Sequence, residues 1–205
     1  MYSVEVTKNG PYLVKNLKVF RNHEGNPWEV KDSMIICRCG KSNTKPFCDG
    51  THAVIGFKDA KDPERAPDRL DSYEGKDITI HDNRGVCSHY GACTTYSPKV
   101  FTSNEPWIDA NGEEAEKTIF TIRKCPSGAL SYTINGKLYM ERPELKEEII
   151  TTKDGPYWIR GCSEFKDPDG NKPEVKTHFS VCRCGGSNNK PFCDGKHWYI
   201  KFKAD

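Results

Sequence analysis

The chain has 205 residues, with 31 Lys and Arg against 29 Asp and Glu, a formal net charge of +2 and ten cysteines. So even a balance, without a long run of one sign, argues against a nucleic-acid partner. No stretch approaches the apolar length that crosses a bilayer, so no membrane partner and a cytoplasmic location are expected. In a reducing compartment clustered cysteines bind metal more often than they pair as disulfides.

The chain opens with a strand-like lead-in through Gly10-Pro11-Tyr12, turns at Gly25-Asn26 and continues into a second strand before a cysteine loop, Cys37-Arg38-Cys39-Gly40 to Lys45-Pro46-Phe47-Cys48-Asp49-Gly50. The same unit returns at a constant offset of 145 residues, as Gly155-Pro156-Tyr157, Gly170-Asn171, Cys182-Arg183-Cys184-Gly185 and Lys190-Pro191-Phe192-Cys193-Asp194-Gly195. Duplicated units in one chain tend to pack about a pseudo-two-fold axis, as a fused dimer does. We therefore expect a monomer containing an intramolecular pseudo-dimer.

Between the copies, residues 61–71 are polar, charge-mixed and proline-containing, and read as a linker. Residues 72–142 follow a different pattern. Strand-like Ile78-Thr79-Ile80 leads to Cys87 and Cys93, and Ala115, Ile119 and Ile122 recur at helical spacing behind glutamates suited to a first turn. Cys125-Pro126 then precedes a strand at Ser131–Ile134 and a turn at Asn135-Gly136. Residues 143–153 form a second linker, leaving 1–60 and 154–205 as the two copies.

Each copy carries C-x-C, then C and H at matched spacing: Cys37, Cys39, Cys48 and His52, and Cys182, Cys184, Cys193 and His197. Three thiolates and an imidazole make a soft four-donor site, and spacing alone leaves zinc and iron–sulfur both open. The longer string, Cys-x-Cys-x-x-Ser-x-x-x-Pro-Phe-Cys-Asp-Gly-x-His, resembles the CDGSH iron–sulfur family, although Thr51 and Lys196 replace the serine before histidine. The resemblance implies a [2Fe–2S] cluster in each copy. It gives an α+β fold with two small β-rich domains and a ferredoxin-like α+β insert. Asp49-Gly50 and Asp194-Gly195 are expected to start a short helix with histidine at its third position, and Ser42 and Ser187 are read either as donors to cluster sulfur or as turn residues.

The insert resembles a single-cluster ferredoxin, with Cys87, Cys93 and Cys125 in place and Tyr90 where a further cysteine would stand. A [3Fe–4S] cluster is the simplest consequence, and a [4Fe–4S] cluster completed by His89, Tyr90 or water is the alternative. Cys162, the four tryptophans, and His23, His81 and His178 are read as packing or satisfied residues. No catalytic constellation is recognisable. Electron transfer to a redox partner protein is the leading function, ahead of cluster donation to an apo-acceptor or redox and pH sensing, and of a zinc-stapled interaction module.

Overall fold

The computed structural model describes residues 1–204. The first repeat forms β1 (Ser3–Val6), β2 (Tyr12–Lys15), β3 (Phe20–Asn22), β4 (Ser33–Ile36) and the single turn α1 (Thr51–Val54). The middle of the chain forms β5 (Leu70–Glu74), β6 (Thr79–Asn83), α2 (Ala92–Tyr96), α3 (Ala115–Ile122), β7 (Leu130–Ile134) and β8 (Lys137–Tyr139). The second repeat supplies β9 (Glu148–Thr151), β10 (Tyr157–Arg160), β11 (Glu164–Lys166), β12 (His178–Val181) and α4 (Lys196–Tyr199). The fold is β-rich, and among the described residues no helix is long and apolar enough to cross a membrane.

The two repeats exchange a strand. β11 of the second repeat adds parallel to β1, completing the sheet β11-β1-β2-β4, while β3 of the first adds parallel to β9, completing β12-β10-β9-β3. Alternating strands such as β1 and β2 turn Val4, Val6, Tyr12 and Val14 inward. They meet Ile149, Tyr157, Ile159 and Val181 in a single apolar core built from both repeats. Three-residue strands such as β3 and β11 are too short to hold a sheet alone, so each is stable only through its neighbour in the other repeat.

At the centre of this arrangement the C-x-C-G segments touch backbone to backbone. Gly40 (φ +74°) leaves no room for a Cβ, which would lie 2.4 Å from the Cys184 carbonyl oxygen, and Gly185 (φ +77°) stands likewise 2.3 Å from that of Cys39. Both glycines are needed for a left-handed backbone and for close approach.

The middle segment has its own core, Ile78, Ile80, Phe101, Ile108, Ile122 and Leu130 among its members, under the antiparallel sheet β5-β6-β7-β8. The helix expected near 113–124 is α3, and Asn135-Gly136 forms the β7–β8 turn with both residues at positive φ. The segments β5 and α2 carry too little periodicity to have been foreseen.

The middle segment leans mainly on the second repeat, with Val86 set against the shared core. β4 alternates exposed and buried residues, whereas all four residues of its counterpart β12 are buried. Ser180 donates to the Pro126 carbonyl at 3.4 Å, Asn83 Nδ2 donates to Glu174 Oε2 at 2.8 Å, and Gly128 packs on Val175.

Two outcomes follow from this packing. Gly40→Ala imposes both a clash and a left-handed strain, and should lower unfolding free energy by roughly 1–3 kcal/mol or more, read by denaturant unfolding under anaerobic conditions; an unchanged midpoint would contradict the contact. His178 in β12 is buried, and desolvation, aided by Arg142 and Arg160 against Glu141 and Glu144, holds its pKa down to about 4. The unfolded chain therefore takes up this proton more readily, so the contribution is whole above about pH 6.5 and is lost as pH falls toward 4, reaching about 2 kcal/mol by pH 5. His178→Asn should flatten that part of the stability profile relative to the parent.

Candidate metal centres

In both repeats the donor loop is a closed hairpin hanging from the last strand. Cys37 N–H donates to the Pro46 carbonyl at 2.7 Å and Cys48 N–H to that of Ile35 at 2.9 Å; Cys182 to Pro191 and Cys193 to Ser180 repeat the pattern at 2.8 and 3.0 Å. Asp49 ties the loop to its helix, accepting from the amides of Thr51 at 3.0 Å and Asn43 at 2.8 Å. These hydrogen bonds hold its carboxyl well below the usual carboxylate range. Asp194 accepts from Lys196 and Asn188 in the same way.

The four donors of each set come together as two pairs. Cys37 and Cys39 Sγ lie 3.8 Å apart, and Cys48 Sγ lies 3.3 Å from His52 Nδ1. In the second set the distances are 3.8 Å for Cys182 and Cys184 and 3.5 Å for Cys193 and His197 Nδ1. Both imidazoles present Nδ1 to the thiols. Among the described residues no three His, Cys, Asp or Glu side chains converge closely enough to hold one metal ion.

Burial resists ionisation of these thiols. Desolvation raises the pKa of Cys39, Cys48 and Cys193, while the hydrogen bond shared with the neighbouring Cys184 thiol holds Cys182 down. Three clustered thiolates out of water require a cationic partner, and a metal core supplies one. Backbone N–H groups also reach the sulfurs, Gly186 to Cys184 at 3.4 Å and Gly195 to Cys193 at 3.5 Å.

One expectation needs correction. His52 and His197 stand at the second residue of α1 and α4, not the third, because Gly50 and Gly195 are the residues that precede each helix. Of the two readings open for Ser42 and Ser187, the hydroxyls take the turn role: each donates to a carbonyl across the loop, Phe47 or Phe192, at 2.7 Å, while the backbone N–H of Ser187 reaches Cys182.

Arg38 and Arg183, between the paired cysteines, went unassigned in the sequence. Both are buried. Arg38 donates to Asp59 at 2.9 Å and faces the rings of Tyr12 and Phe57, and Arg183 donates to the Thr152 carbonyl at 2.8 Å and faces Tyr157 and Phe202. Each pins a C-x-C segment to the tail that follows its loop. Their recurrence in both copies was the signal that could have marked them.

The third donor set lines a cavity of about 290 Å³. Cys87, Cys93 and Cys125 face it, together with Asp82, Arg84 and Trp107. Arg84 stacks 3.7 Å above Trp107 and donates to Cys87 Sγ at 3.4 Å. Burial pushes the Cys87 thiol up to about 12 and the Asp82 carboxyl up to about 6. A cavity with three thiols and a cation at its wall suits an anionic metal–sulfur body. His89 and Tyr90 also line it, but their rings engage the second repeat, His89 against Gly195 and Tyr90 edge-on to Trp158 at 4.9 Å.

All ten cysteines are free of disulfides. Cys162 packs at the edge of the shared core and donates to the Glu164 carbonyl, away from every donor set. Trp28 and Trp158 have packing partners, while Trp198 lies exposed beside His197.

Residues 9–53 and again 154–198 match the family described as the iron-binding zinc finger of CDGSH type, and residues 73–135 match one described as a divergent 4Fe–4S mono-cluster. The chain is also similar to the uncharacterised protein YjdI of Escherichia coli strains K12 and O157:H7. Each is 34% identical over 61 residues, which is 29% of this chain and 80% of theirs. No solved structure matches. With thiol-rich donor sets in each matched segment, the chain belongs to the CDGSH family of iron-binding proteins, and is an iron–sulfur protein with a divergent 4Fe–4S mono-cluster segment between its two CDGSH repeats.

Proposed function

We propose that this protein is a multi-cluster electron carrier. In this reading Cys37, Cys39, Cys48 and His52 hold one [2Fe–2S] cluster, Cys182, Cys184, Cys193 and His197 hold a second, and Cys87, Cys93 and Cys125 hold a third cluster. The observation that carries the reading is the two-plus-two grouping of donors, a Cys–Cys pair and a Cys–His pair in each repeat. Two irons bridged by sulfide take two protein ligands each, whereas a tetrahedral zinc site gathers all four around one point. For the central set, the mono-cluster description favours four irons over the three expected from the sequence.

Iron–sulfur clusters supply one-electron transfer. The chain supplies ligands, charge and access. Neutral imidazole in place of thiolate, together with the amides aimed at Cys184 and Cys193, favours the reduced state of the paired sites. Arg84 does the same for the central set. The domain limits 1–60, 72–142 and 154–205 belong to this proposal, as does a pseudo-two-fold relation between the repeats, which the reciprocal strand exchange supports. The acceptor is taken to be a redox partner protein.

Protein purified without oxygen should be coloured and contain about eight iron and eight sulfide per chain, or about seven iron and eight sulfide if the central cluster has three irons. Colourless, sulfide-free protein would refute the proposal. Cys125→Ser should remove about half of the iron while leaving the spectrum of the Cys3His sites in place. His52→Cys replaces a neutral ligand by an anionic one, and should lower one midpoint potential by roughly a hundred millivolts or more, measured by redox titration followed by EPR; an unmoved potential would exclude His52 as a ligand.

A further inference from the structure

The two Cys3His loops have the same ligands and unequal surroundings. We propose that the two sites have different duties: the linker and the insert seal the second site, and the first is the port from which metal or electrons pass to an external acceptor. The inference rests on the donor sets holding metal, whichever metal that is.

Position by position, the second loop is covered where the first is open. Cys48 and His52 are half-buried and Gly50 is exposed, whereas Cys193, Gly195 and His197 are buried, His197 to 5% exposure. A Cβ on Gly50 would meet nothing within 4 Å, but one on Gly195 would strike the His89 ring at 2.4 Å. Both glycines have left-handed φ, +88° and +81°, so the difference lies in the covering residue and not in the turn.

The cover has two further points of attachment. Asn189 Nδ2 donates to Asp68 Oδ1 of the linker at 2.8 Å and to the Gly85 carbonyl of the insert at 2.7 Å, and Asp62 N–H donates to the Asn188 carbonyl at 2.8 Å. The corresponding residues of the first loop, Asn43 and Thr44, are exposed to solvent. An acceptor or chelator therefore meets the Cys48–His52 edge directly. To reach Cys193 past Gly195 and Asn189 it must first displace His89 and the linker, a local opening with its own free-energy cost.

The test uses the intact, anaerobically purified protein with its native metal content, treated with excess EDTA and iodoacetamide. Peptide mass mapping then times alkylation of Cys48 against Cys193. Cys48 should be modified about tenfold faster or more, the size expected for one local opening step. Asp68→Ala and Asn189→Thr, which restores the residue type of the first loop, should bring Cys193 several-fold closer to Cys48 while the Cys48 rate stays unchanged. Neither residue belongs to a donor set. Equal rates in the parent protein, faster loss at Cys193, or a ratio unmoved by both variants would overturn the inference. A sulfide assay on the same sample reports separately on the cluster reading: a protein without sulfide can still display the asymmetry, and a protein with full sulfide can still lack it.

Discussion

Each cysteine loop depends on a tyrosine from the other repeat. Tyr12 Oη lies 2.9 Å from the Cys182 carbonyl and 3.0 Å from that of Pro191, and Tyr157 Oη lies 2.9 and 3.1 Å from those of Cys37 and Pro46. The Pro46 and Pro191 carbonyls also accept the Cys37 and Cys182 N–H groups, so it is the Cys37 and Cys182 carbonyls, out of water at the neck of each loop, that rely on the tyrosines, and an acceptor left without its donor costs on the order of 1–3 kcal/mol. The two rings meet edge-on at 6.2 Å. Because each hydroxyl serves the opposite repeat, neither neck is complete in an isolated copy. The glycine contact at Gly40 and Gly185 adds a steric requirement to the same point, and the exchanged strands β3 and β11 enclose it.

The consequence is that the donor sets are held by a rigid centre and differ only at their rims. The C-x-C pairs, equally buried in both repeats, lie beside the shared core, while the third cysteine and the histidine reach outward on the loop and its short helix. What covers the outer edge is thus free to differ without disturbing the inner one. The insert has its own core and can lean on one repeat without any change to the ligands themselves.

Much of this was legible in the sequence because the repeat is ungapped. The constant offset aligned Tyr12 with Tyr157 and brought out both Cys3His donor sets, hydrophobic spacing marked α3, and Asn135-Gly136 marked the β7–β8 turn. Strand exchange was not legible: β3 and β11 are three residues long, and nothing local says whether such a strand pairs within its own repeat or in the next. The roles of Ser42 and Ser187 escaped for a related reason, since a hydroxyl in a turn has several acceptors within reach and only the closed loop decides among them. Arg38 and Arg183 read as ordinary charges until their burial under aromatic rings was seen.

The positions at which the two copies disagree carry as much structural information as those at which they agree. At the same offset, Leu13 becomes Trp158, which receives Tyr90, and Ile35 becomes Ser180, which donates to Pro126. Ser33 becomes His178, buried beneath the insert side, and Thr44 becomes Asn189, which bonds both linker and insert. Even where the residue is unchanged its setting differs, as Val30 is 36% exposed and Val175 2%. Exposed or half-buried apolar or neutral positions in the first copy correspond to hydrogen-bonding or large aromatic residues in the second, as a surface requires when it becomes an interface with polar groups to satisfy. Agreement between repeats therefore locates the metal donors and the core that holds them, and disagreement between them traces the footprint of the inserted segment.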